Sequence, residues 1–219
     1  MTSIGMYLGQ ILEFINKYVG NYGVSIIIFT ILIKIILVPF YIQQMTTMKK
    51  MKEITPHVEN LKKKHANDPQ KMNAELMKLY KEKNVNPFGG CLPMLLPLII
   101  LWPLFAMLRT HHQFATASFL WLNNLSARDP YFILPILSGI TTYISSSMIA
   151  TDKSQKTMNT IMSAVMVYMT ASLPSGVGIY WVTSNIFQII QQYFFLRPTT
   201  EREGESLNER NNKNGKDGK

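Results

Sequence analysis

Residues 23–42 read GVSIIIFTILIKIILVPFYI, twenty residues that carry a single charge, Lys34. As an α-helix such a run is about 30 Å long, the thickness of a bilayer's hydrocarbon core. It is therefore expected to span a membrane. Four further stretches share its character: 89–108 (GGCLPMLLPLIILWPLFAML), which has no charge, then 131–150, 159–173 and 177–196. The last two are separated by Pro174-Ser175-Gly176, a turn that leaves room only for an antiparallel helical pair. A soluble chain of 219 residues cannot wrap five helices that are apolar all round in polar layers. The fold class expected is an all-α polytopic membrane protein with five transmembrane helices.

The distribution of charge fits this reading. A mean hydropathy of +0.06 and a net charge of +9 are averages over apolar and basic blocks that belong in different solvents. Segment 43–88 holds ten Lys, residues 151–158 hold Lys153 and Lys156, and the stretch from Arg197 holds six Lys or Arg; the other side keeps only Lys17, Arg109 and Arg128. By the positive-inside rule the basic side is cytosolic, so an odd number of spans places the N-terminus outside and the C-terminus in the cytosol. Residues 1–22 have no basic n-region followed by a compact apolar core, so no cleavable signal is expected. Their helical face of Ile4, Tyr7, Ile11, Phe14, Ile15 and Tyr18 suits a helix lying in the outer interface. In 43–88 the apolar residues Met48, Met51, Val58 and Leu61 recur at helical spacing. Asp68-Pro69 then offers a cap and an N1 proline before a second face of Met72, Leu76, Leu79 and Tyr80. This predicts a cytosolic helical hairpin, kinked near Pro56, whose lysines form a solvated face or meet anionic headgroups or ribosomal RNA. Residues 197–219 are expected to be a disordered cytosolic tail.

Some residues do not belong in hydrocarbon. Lys34 sits near mid-depth, where a Lys costs about 2.5 to 3.5 kcal/mol on insertion scales, and such residues face a bundle interior or a wet cavity. None of the five spans contains an Asp or Glu to pair with it. Thr30 lies one i, i+4 step earlier on the same face. The last span carries Tyr180, Ser184 and Gln188 at the same spacing, then Gln191 and Gln192, with Trp181 and Asn185 alongside. Helix–helix hydrogen bonding explains one or two such groups but explains a stripe less well. Together they predict a hydrophilic recess in the inner leaflet, reached from the cytosol and closed to the outside. Pro93, Pro97 and Pro103 should bend or locally unwind the second span, with Gly89-Gly90 as a hinge. The lone Cys91 reads as a small buried residue and excludes any disulfide or Cys-cluster metal site. His111-His112 has no carboxylate partner, so no metal is assigned. With no Walker A loop, GxSxG or HExxH, no catalytic residue and no cofactor are expected.

At this point whole strings are familiar. NVNPFGGCLPMLLPLIILWPLF, LNNLSARDPYFILPIL and LPSGVGIYWVTSNIFQIIQQ resemble the second, third and last two core spans of the YidC/Oxa1/Alb3 membrane protein insertases. IKIILVPFYIQQMTTMKKMK resembles their first core span entering the cytosolic hairpin, and the match is nearer to the bacterial members. The resemblance implies five core helices, residues 23–196 with the hairpin 43–88, around a positively charged groove open to cytosol and lipid. It implies a non-enzymatic insertase and chaperone of the bacterial plasma membrane. Lys34, five positions before Pro39, stands where the family usually has Arg; Thr30 and Trp181 stand at groove positions, the latter where Tyr is common. With Tyr180, Ser184, Asn185 and Gln188 they make up the expected groove. The implied partners are nascent membrane proteins and lipids, with the Sec translocon and the ribosome as candidates, and no DNA. The rival, a small transporter or channel subunit, predicts a continuous polar path or an inverted repeat; 23–42 and 131–150 share no pattern.

Overall fold

The computed structural model describes residues 3–85, 92–110, 112–150 and 153–196. Gly89-Gly90, Cys91, His111 and the tail 197–219 lie outside these residues. Among the described residues eight α-helices follow in order: α1 (Ser3–Val19), α2 (Tyr22–Ile36), α3 (Val38–Lys64), α4 (Pro69–Glu82), α5 (Leu92–Thr110), α6 (Ile133–Ile149), α7 (Lys153–Ser172) and α8 (Ser175–Leu196), with a 3-10 turn at His112–Phe114. Among the described residues there is no β-strand. Helices α2, α5, α6, α7 and α8 cover the five apolar stretches.

The deciding stretch is not one straight rod. The α2 and α3 axes meet at 62°, with Leu37 between them. Pro39, in the first turn of α3, has no N–H to give the Ile35 carbonyl, so the ladder ends with Leu37 N–H donating to the Ile33 carbonyl at 3.0 Å. Consequently α2 has 15 residues, about 22 Å, and what reads in sequence as the end of the first span is the start of the hairpin helix. Among the described residues no single helix is both long and apolar enough to cross a membrane, but α2 and α3 together are. In α6, α7 and α8 the apolar run is diluted by Ser, Thr, Asn and Gln.

Prolines act differently in α5. The helix is continuous from Leu92 to Thr110 through Pro93, Pro97 and Pro103, so the expected unwinding is not found there. Pro93 falls in the first turn, where its missing N–H costs nothing. Helix α3 likewise runs uninterrupted through Pro56.

Helix α8 is central. It packs on α2, α5 and α6; α7 lies along α6, and α1 covers α2 and α5. Gly20, at φ +72°, turns the chain from α1 into α2. Helix α1 buries Leu12 and Ile15 against the bundle and exposes Tyr7, Ile11, Phe14 and Tyr18. Gly139 brings α6 against α7 so closely that a β-carbon there would collide with Val167. Gly139→Leu is expected to cost about 1–3 kcal/mol through overpacking, read as a lower unfolding temperature in detergent. Long apolar stripes remain uncovered: Ile136, Ile140 and Ile144 on α6, and Ile186, Ile190 and Phe194 on α8, each at i, i+4, i+8.

Helices α3 and α4 pack on a separate small core of Ile54, Val58, Leu76 and Val85, flanked by Met51, Leu61, Met72, Leu79 and Tyr80. Asp68 caps α4 by accepting the Lys71 N–H at 3.0 Å, with Pro69 at the first position.

Candidate functional site

On α2, Thr30 is 1% exposed and donates its hydroxyl to the Ile26 carbonyl at 2.6 Å. That bond satisfies the hydroxyl within its own helix, so Thr30 costs little in an apolar surround. Lys34 follows one turn later on the same face and is half-buried. The next turn ends at Leu37, so Lys34 lies just before the break that starts the hairpin.

Helix α8 offers two different faces. A β-carbon at Gly176 would touch Leu108 of α5 and Ile26 of α2, and Tyr180, Ser184 and Gln188 continue that face at i+4 steps. Tyr180 and Ser184 are buried and Gln188 is half-buried. A β-carbon at Gly178 would instead touch Leu134 of α6 and Thr170 of α7, and Trp181 and Asn185 lie on that side. The Trp181 indole N–H donates to Thr142 Oγ1 at 3.1 Å, and Asn185 Nδ2 donates to Thr141 Oγ1 at 3.1 Å and to Thr142 Oγ1 at 2.9 Å. The seven residues picked from the sequence thus divide. Thr30, Tyr180 and Ser184 are buried on the sides of α2 and α8 that carry Ile26 and Gly176, Lys34 and Gln188 lie a turn further along their helices and are half-buried, and Trp181 and Asn185 have their polar groups engaged by α6.

That α6 seam is polar along its length. Ser138 donates to Thr170 at 3.0 Å, Asn159 donates to the Ser146 carbonyl at 3.0 Å, and Ser145 donates to Gln192 Oε1 at 3.4 Å. Asn185→Leu should cost about 1–2 kcal/mol, since intramembrane bonds are worth about 0.6 kcal/mol each and Thr141 and Thr142 lose their common donor. Thermal unfolding in detergent measures it.

One end of the bundle is tied together by the α5–α6 connection. Phe114, Leu122 and Leu125 enter the main core, and the free N–H groups that open α8 donate to the connection's carbonyls: Ser175 to Ala127 at 2.7 Å and Gly176 to Leu125 at 3.0 Å. Ser126 donates to the Leu108 carbonyl at 2.7 Å, fastening α5 to the same loop. Asp129, 5% exposed, gathers three donors: Trp121 Nε1 at 3.0 Å, Tyr131 N at 3.1 Å and Leu134 N at 2.7 Å. The α5–α6 connection is thus bonded to α5, α6 and α8 at one end of the bundle.

The family model described as "60Kd inner membrane protein" matches residues 14–203. A "Membrane protein insertase YidC" from Caldanaerobacter subterraneus subsp. tengcongensis is 69% identical over 206 residues, covering 94% of this chain and 100% of that one. The chain belongs to the YidC insertase family. Another protein of that name, from Fusobacterium nucleatum subsp. nucleatum, is 44% identical over 193 residues, covering 87% of this chain and 94% of the relative. Among solved structures, an "Active YidC insertase crystal structure with the first transmembrane domain resolved" superposes with a TM-score of 0.75 at 28% identity, over 88% of this chain and 46% of that one.

For this YidC-family chain the sequence-derived set omits residues that the fold places beside it. Thr141 and Thr142 were legible only as α6 hydroxyls, and their partners on α8 are 39 to 44 positions away. In the sequence Asp129 shows only as an acidic residue before Pro130, without sign of its three donors. Gln44 follows the apolar run by two residues and reads as the start of a solvated hairpin, yet it is buried. Among the described residues there is no cluster of His, Cys, Asp and Glu suited to a metal ion.

Proposed function

We propose that this protein is a membrane protein insertase of the bacterial plasma membrane, working through a hydrophilic groove formed where α2 meets α8. The observation that carries the mechanism is the position of Lys34: a cation in an apolar stretch, with no carboxylate in any of the five such stretches, half-buried one turn beyond Thr30. The five apolar stretches act as spans, with the N-terminus outside and the C-terminus in the cytosol. The α5–α6 connection then lies outside and keeps the groove from leaking.

The polar leading segment of a newly made protein enters from the cytosol. Lys34 attracts its acidic groups, while Ser184 and Gln188 replace part of its lost hydration, so the cost of taking polar groups into the membrane falls. Its apolar helix meanwhile slides over the exposed stripes of α6 and α8 into lipid. No cofactor enters this scheme, because burial of the substrate's apolar surface, at about 25 cal/mol per Å², supplies the free energy. The lysines of the α3–α4 hairpin face the side from which a ribosome or the Sec translocon hands over a chain.

Site-specific photocrosslinking from position 34 or 184, in ribosome-stalled insertion intermediates, tests the assignment. Capture of a nascent single-span protein is expected. No crosslink from either position, with unimpaired insertion by a Lys34→Ala protein, would refute it.

A further inference from the structure

Gln44 is the anomaly of the molecule. It is 5% exposed, and neither its Nε2 nor its Oε1 has a hydrogen-bond partner among the described residues. The Nε2 of Gln191, a residue 8% exposed, is likewise without one. Buried side-chain amides in folded proteins are almost always paired, so each such group needs a reason. Helix–helix bonding is not the reason here. The neighbouring Gln192 shows what that looks like, since its Oε1 accepts from Ser145 of α6 at 3.4 Å.

The two orphaned amides belong to helix faces that meet. Tyr41, one turn before Gln44, sets its ring edge-on to Phe195 of α8 with centroids 6.2 Å apart, and Phe195 is one turn beyond Gln191. Both glutamines therefore flank the contact that joins the start of the hairpin helix to the end of α8. Gln44 also stands at a chemical boundary, two residues past the apolar run and five before Lys49-Lys50. A chain moving from the cytosol toward Lys34 has to pass this point.

We infer that Gln44, with Gln191, forms a station that hydrogen-bonds to the backbone of an extended polypeptide at the cytosolic mouth of the groove. A carboxamide presents donors and an acceptor without charge, and its natural complement is another amide. A peptide group offers both a carbonyl to Nε2 and an N–H to Oε1. Main-chain pairing gives affinity without reading side chains, which is what a protein serving many substrates requires. Lys34 selects charge deeper in; the station at Gln44 holds any sequence.

The inference rests on the insertase reading and is tested in proteoliposomes containing the purified chain and a single-span substrate with a polar N-terminal tail. Gln44→Met removes both hydrogen-bonding groups at nearly the same volume, and Gln44→Leu repeats the test with another shape. Both variants are expected to keep or raise the unfolding temperature in detergent while inserting the substrate several-fold more slowly. A tail rich in proline, whose carbonyls remain but whose N–H groups are gone, is expected to insert slowly in wild type and to be little affected by Gln44→Met. Wild-type insertion by both variants, or a fall in unfolding temperature that tracks lost insertion, would overturn the station. The first result makes the amide idle and the second makes it structural. If the wild-type chain itself inserts nothing, the insertase reading fails before Gln44 is in question.

Discussion

A Lys34→Glu protein inserts no substrate whose leading segment is acidic, and Lys34→Ala does so at about a tenth of the wild-type rate. The size follows from electrostatics. Two unit charges 4 Å apart interact by about 1 kcal/mol in water and about 4 kcal/mol at the effective dielectric of a partly buried site, and about 1.4 kcal/mol is tenfold in rate. Alanine removes the attraction but leaves a recess that water can fill. Glutamate reverses the sign and adds repulsion at the same depth. Lys34→Arg should stay close to wild type, because charge is kept and the guanidinium is less strongly hydrated than an ammonium. Recovery of insertion by Lys34→Glu when the substrate's leading segment is made basic would separate charge from shape. The assay is protease protection of a single-span substrate in proteoliposomes.

The largest stability effect is expected at Asp129. Its Oδ1 accepts from Trp121 Nε1 and Tyr131 N, and its Oδ2 accepts from Leu134 N, which opens α6. Asp129→Ala leaves three donors without a partner in a buried place, at about 1–3 kcal/mol each before relaxation. A total of about 3–5 kcal/mol is therefore expected. Asp129→Asn does not rescue it, since one amide position then points its own N–H at the N–H of Leu134 or of Trp121. Thermal unfolding in detergent, followed by tryptophan fluorescence, should show both variants well below wild type. An Asn variant as stable as wild type would mean that the carboxylate is not what ties the α5–α6 connection to α6.

The helical architecture was legible because each apolar stretch is long and bounded by charges or turns, as with Asp129-Pro130 before α6 and Pro174 before α8. The break at Leu37 was less so. Pro39 was visible, but in 89–108 three prolines leave α5 continuous while in 23–42 one proline coincides with a 62° bend. Which outcome follows depends on what packs against the freed carbonyl, and a single sequence does not carry that. The candidate site shows the same limit. Periodicity placed Tyr180, Ser184 and Gln188 on one face, and the fold turns that face to α2. The adjacent Trp181 and Asn185 are one position round the helix, enough to turn them toward Thr141 and Thr142. Gln44 was hidden for the opposite reason: a glutamine next to a Lys-rich segment looks solvated until the fold buries it.

The proposed function requires a recess around Lys34 that is wet from the cytosol and sealed from outside by the α5–α6 connection. Cysteine placed at 34, or at 188, in a Cys91→Ser background reports this directly through membrane-impermeant maleimides applied to vesicles of either orientation. Labelling of both positions is expected from the cytosolic face and none from the outer face. Labelling from the outer face, or no labelling from either face, would contradict the proposed recess.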